Sequence, residues 1–192
     1  MARPFEFDPD TAIDRAMEVF WQKGYASTTP QDLLEAAGIG KGSFYNYFKS
    51  KHHMFELCLE RYRASQAEAL VEFLKQPISA RAKLKGALEQ LIKFDLEGPV
   101  RKGCMAVNAA AELAASDESA LRIVQAMFNR TEAALVKLIG EGQAAGEFRS
   151  DIDAVSLASL LLTTILGLRI AGLVADTPDR LERAIETALR LL

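Results

Sequence analysis

Cysteine is nearly absent from this 192-residue chain: Cys58 and Cys104 are the only two. They are too few for a disulfide framework and too few for a metal set. Strand punctuation is missing as well. No Asn-Gly or Asp-Gly pair marks a hairpin, and no run of alternating apolar and polar residues is sustained. The first residues, Met1-Ala2-Arg3-Pro4-Phe5-Glu6, lack the apolar core of a secretory leader, so a cytoplasmic protein is expected. Excess positive charge is also absent, since the formal net charge is −3, and overall electrostatics do not announce a nucleic-acid binder. No acid, base and nucleophile converge in any motif, so no enzyme, cofactor or metal centre is expected. His52 and Glu56, at i and i+4, are two ligands without a third.

What is present is helical. Asp8-Pro9 is a cap followed by the position where proline favours a helix start. Ile13, Ala16, Met17, Phe20 and Trp21 then form one apolar stripe, and Gly24 stands where a C-terminal glycine belongs. Thr29-Pro30 with Asp32 approximates a capping box for a second helix, which ends at Gly38. A third helix is expected from Lys41 to Phe48, and Ser50 caps a long fourth. Further helices are expected at about 79–97, 100–115, 118–144, 151–174 and 178–191, punctuated by Gly98-Pro99, Ser116-Asp117, Gly146 and Thr177-Pro178. The architecture is all-α, a three-helix N-terminal unit leading into a larger helical body. Residues 1–50 are read as a DNA-binding domain, and residues 51–192 as the body, entered through a connecting helix from about residue 51. Val155–Ala175 carries a single charge, Arg169, and approaches the length of a membrane span. Ser156, Ser159, Thr163, Thr164 and Gly167 dilute it, and it is read as a helix buried on most sides.

The two short helices around Gly38 have the pattern of a helix-turn-helix, whose second helix enters the major groove. Residues 36–55 hold three lysines, two histidines and no acid. At ~100° per residue, Phe44 and Phe48 share a side while Tyr45 and Asn46 turn away. Lys41 and Ser43 are placed to reach base edges or phosphate, and Gly42 permits close approach. Tyr45 and Asn46 project outward; Tyr47 and Lys51 suit phosphates at the groove edge. Thr28 and Thr29 begin the preceding helix, where hydroxyls and backbone N–H groups suit phosphate. A helical adaptor using the same unit to bind protein is the alternative.

Residues 8–62 resemble the N-terminal domain of the TetR family of bacterial transcriptional regulators. The resemblance rests on Ala16-Met17-Glu18-Val19-Phe20, Gly24-Tyr25, Thr28-Thr29, Ala36-Ala37-Gly38-Ile39, Lys41 to Phe48, and Ser50-Lys51. Pro30 departs from a usual branched apolar residue, Gly40 from a usual serine, and His52-His53 from a usual acidic pair. The resemblance implies a homodimer on a palindromic operator, repression, and release by a small molecule held in the C-terminal body. Residues suited to such a ligand are Phe94, Cys104, Met105, Asn108, Glu112, Phe128 and Arg169, although a helical core needs the same mixture. Dimerisation is expected through Leu121, Val124, Phe128 and Leu135, which recur at near-heptad spacing, and through Leu161, Ile165, Gly167 and Leu168. Cys104 follows Arg101-Lys102-Gly103, where positive charge favours a reactive thiolate. It is read either as a sensor of electrophiles or as a small core residue.

Overall fold

The computed structural model describes residues 7–97, 101–113 and 115–192, and among them every regular element is a helix. In chain order these are α1 (Pro9–Lys23), α2 (Pro30–Ala37), α3 (Lys41–Phe48), α4 (Lys51–Leu74), α5 (Ala80–Glu97), α6 (Met105–Leu113), α7 (Glu118–Ala144), α8 (Ala154–Val174) and α9 (Asp179–Leu191). The chain divides into two compact units. Residues up to Gln66 join Asn108–Val124 in the first, and Ala67–Val107 joins Gln125–Leu192 in the second.

The first unit is built by its caps. Asp8 accepts from the N–H groups of Asp10 and Thr11, and Pro9 opens α1. Thr29 and Asp32 close a reciprocal capping box on α2, satisfying two N–H groups that the helix leaves unbonded. Gly38 ends α2 with φ 68, a left-handed conformation that a side chain disfavours, and its N–H bonds back to Leu34 and Glu35. Phe20, Leu33, Phe44, Phe48, Met54, Phe55 and Leu59 fill the core. Their rings meet edge-on or tilted, Phe20 with Phe55 at 5.0 Å and Phe44 with Phe48 at 5.4 Å, which favours fixed orientations. Arg61 on α4 grips Asp14 on α1 through two parallel bonds of 2.8 Å, a fork that sets the register of those helices.

The second unit packs α5, α8, α9 and the later part of α7 around Leu84, Leu88, Leu138, Ile139, Leu157, Leu161, Leu181 and Ile185. In α9, Leu181, Ile185, Ala188 and Leu189 face inward at i, i+4, i+7 and i+8, and charged residues cover the other side. Arg81 ties the start of α5 to this helix by donating to the Leu189 carbonyl at 2.8 Å.

Two expected helix starts move. α6 begins at Met105 rather than near residue 100, because Gly103, at φ +61, lies outside the right-handed helical region. Gly98, Pro99, Val100 and Ala114, which bear on the expected bounds of that helix, lie outside the described residues. α8 begins at Ala154 because Asp153 caps it through the Ser156 N–H.

Candidate nucleic-acid interface

The surface of interest is the outer side of α3. Phe44 and Phe48 are 0% exposed and anchor the helix into the first unit. Gly42, Tyr45 and Asn46 turn away from them and are exposed, and Lys41, the first residue of the helix, is exposed as well. The 3.6-residue period separates Tyr45 and Asn46 from the anchoring Phe44 and Phe48. Gly40 opens the helix without a side-chain cap, and a Cβ built at Gly40 or Gly42 meets nothing within 4 Å. The N-terminal end of a helix carries unbonded N–H groups and favours an anion. Ser43 is half-buried, and Tyr47 is half-buried with its ring edge-on to Phe7 at 5.8 Å.

The flanking residues divide sharply. Thr29 is exposed, with its hydroxyl engaged in the α2 capping box. Thr28 is 1% exposed, and its hydroxyl donates to the Gly24 carbonyl at 2.6 Å. The structure therefore takes Thr28 out of the expected phosphate-facing set and gives it a part in the α1–α2 turn. Lys51 is half-buried with its Nζ 4.3 Å from the centroid of the Tyr25 ring, a cation–π contact.

Glu112, expected near a ligand, is engaged elsewhere. Its carboxylate accepts from the backbone N–H groups of Tyr25 at 2.8 Å and Ala26 at 2.5 Å, within the first unit. Asn108 is half-buried in the same unit. The other expected ligand residues lie in the second unit. Cys104 and Met105 are buried, Phe128 is half-buried, and Phe94 is 57% exposed. Arg169 is 5% exposed; its Nη2 donates to the Gly103 carbonyl at 2.7 Å, and its guanidinium lies 5.7 Å from the Phe94 ring.

The expected dimer residues also divide. Val124, Leu135, Leu161 and Leu168 are buried within the protomer, so they belong to its own core and are not a free surface. Leu121, Phe128 and Ile165 are half-buried. Gly167 is exposed, and with it an apolar strip that periodicity did not single out: Val155, Leu160, Ile170 and Val174. Ser156, Ser159 and Thr163 are exposed on the same side of α8, but leucine and isoleucine occupy most of its circumference, so the outward leucines are weakly marked in the sequence. By length and composition alone it is the one helix among the described residues that could cross a membrane.

Residues 12–58 match the family model for bacterial regulatory proteins of the tetR family, and residues 80–188 match the tetracyclin repressor-like C-terminal domain. The uncharacterized HTH-type transcriptional regulator YezE of Bacillus subtilis is 29% identical over the whole of both chains. The HTH-type transcriptional repressor ComR of Escherichia coli is 28% identical, over 98% of this chain and 90% of its own. Among solved structures, a cysteine-substituted CifR complexed with double-stranded operator DNA superposes with TM-score 0.85 at 28% identity, covering 98% of each chain. The two matched segments together cover most of the chain, and the solved likeness runs nearly end to end. The chain belongs to the TetR family of bacterial transcriptional regulators.

Proposed function

We propose that this chain is a homodimeric repressor that reads a palindromic operator through α3 and leaves it when a small molecule occupies the second unit. The observation that carries the reading is the outward strip of α3, with Lys41, Gly42, Tyr45 and Asn46 exposed above buried Phe44 and Phe48. Lys41 supplies a donor to guanine or phosphate, Asn46 a donor and acceptor pair suited to adenine, and Tyr45 a hydroxyl for phosphate. Ser43, Tyr47, Thr29 and Lys51 flank the strip. In the division of labour proposed here, residues 1–50 read DNA and residues 51–192 bind ligand and partner. The exposed strip of α8 takes the partner protomer, and a two-fold dimer sets its recognition helices roughly 34–36 Å apart, one turn of DNA. Phe94, Cys104, Met105, Phe128 and Arg169 serve the ligand, with apolar walls and one guanidinium. The protein works in the cytoplasm, where its operator is. Neither a catalytic step nor a bound cofactor is part of this reading.

Selection of bound fragments from the source genome, followed by titration across salt concentrations, tests it. Binding weakens steeply with salt, and Lys41→Ala lowers the slope of log affinity against log salt by about one per protomer. A chain that selects no DNA, or whose binding ignores salt, is instead a helical adaptor.

A further inference from the structure

The α1–α2 turn is shaped around a carboxylate. Gly24 has φ +78, and the next two residues, Tyr25 and Ala26, direct their N–H groups onto the two oxygens of Glu112. Successive N–H groups that converge in this way make an anion-binding concavity. The positive φ favours glycine at position 24, and a Cβ there would stand 2.9 Å from Glu112 Oε2 and displace the carboxylate from its seat. Thr28 closes the turn from within through its bond to the Gly24 carbonyl. The Tyr25 ring packs on Phe20 and Phe55. A second tie lies close by: Asp117, in the corner between α6 and α7, meets His52 Nε2 at 2.8 Å. Burial, together with the carboxylates of Asp117, Glu112 and Glu56, pushes the Tyr25 hydroxyl above its ordinary range.

Glu112 sits in the last turn of α6, a helix continuous across the division between the units at Val107 and Asn108. From these contacts we propose that Glu112 is a positioning residue for operator binding, its carboxylate seated in the backbone concavity at Tyr25 and Ala26 so that the end of α6 fixes the helix-turn-helix. The proposal rests on the reading of α3 as the DNA-facing helix, and it replaces the expectation that Glu112 touches ligand.

The test uses the full-length dimer with a spin label at Gln31→Cys on the exposed side of α2, in wild-type, Glu112→Ala and Glu112→Gln backgrounds. Glu112→Ala broadens the label-to-label distance distribution and weakens operator binding about tenfold, the loss of two charge-assisted hydrogen bonds in an exposed setting. Glu112→Gln, which keeps one accepting oxygen, falls between. Excess formate, matched against equal chloride, enters the vacated concavity of Glu112→Ala, narrows the distribution and recovers affinity, while leaving the wild type unmoved. An unchanged distribution in Glu112→Ala overturns the proposal, and so does a broadening that formate leaves in place. Should the wild type select no operator, the DNA-binding reading fails, and the distance measurements still decide the clasp.

Discussion

Ile170→Asp tests the dimer surface most directly. Ile170 is 53% exposed in the protomer and lies one turn from Val174, which is 78% exposed, with Gly167 on its other side. Burying an isoleucine side chain completely contributes about 1.5–3 kcal/mol, so covering the exposed half is worth about 1 kcal/mol in each protomer. Two-fold symmetry presents the residue twice. An aspartate in its place loses that term and adds a desolvation cost of several kcal/mol per ion. Each protomer thus loses about 4 kcal/mol, so dimerisation weakens by at least about a thousandfold. Sedimentation velocity over a micromolar dilution series reads this as a shift from dimer to monomer. Far-ultraviolet circular dichroism stays helical, because the substituted side chain points away from the protomer core. Ala133→Asp is the control: it lies on the outer side of α7, among exposed Gln125, Asn129, Arg130 and Lys137, and keeps the dimer. If Ile170→Asp sediments as the wild type does, the partner does not sit on this strip of α8 and the reasoning fails.

Two further substitutions separate structural duties from DNA contact. Thr28→Val keeps the shape of the side chain but leaves the Gly24 carbonyl without its hydroxyl donor, which costs about 1–2 kcal/mol in a chemical denaturation curve. Its operator affinity at fixed salt stays that of the wild type, whereas removing a hydroxyl that donates to phosphate would weaken binding. Asp32 is held at about 2 by the hydrogen bond from Lys23 first, and then by the Thr29 backbone and hydroxyl. Its pKa is depressed in the fold, so its contribution is present above the ordinary aspartate range and is lost as pH falls from about 4 through about 2. The thermal midpoint of Asp32→Asn is therefore less sensitive to pH across that interval; a slope equal to the wild type's would show that the capping box does not set the acid limb.

The helix-turn-helix was legible because its signals are local. Asp8-Pro9, the Thr29 and Asp32 pair and Gly38 each act within one turn of chain, and each stands in the structure at the helix end it marks. The alternation of Phe44 and Phe48 with Tyr45 and Asn46 needed only the helical period. Helix α8 is different, since its leucines and isoleucines follow one another round most of the circumference. Leu160 is 47% exposed and Leu161 is 1% exposed, yet the two are adjacent and chemically identical. Which one meets solvent depends on α5 and α9 packing against one side of α8. That information lies in other segments of the chain.

Thr28 and Thr29 carry the point further. They are neighbours with the same side chain, and both suit a phosphate at a helix N-terminus. The structure buries one and exposes the other, because the chain between α1 and α2 follows no period from which direction could be read. Gly24 turns the backbone to φ 78, and the Thr28 hydroxyl is drawn back to the Gly24 carbonyl. Glu112 then arrives from 86 residues further along the chain than Ala26 and takes the N–H groups that the turn presents. An acid in the last turn of a helix opposes the helix dipole and is a weak helix-end signal. Its placement follows from the partner it finds, two amides with no acceptor of their own in the turn. No local pattern in the sequence singles out Glu112 among 26 acids, and a search for polar residues on an apolar helix instead assigns it to a ligand.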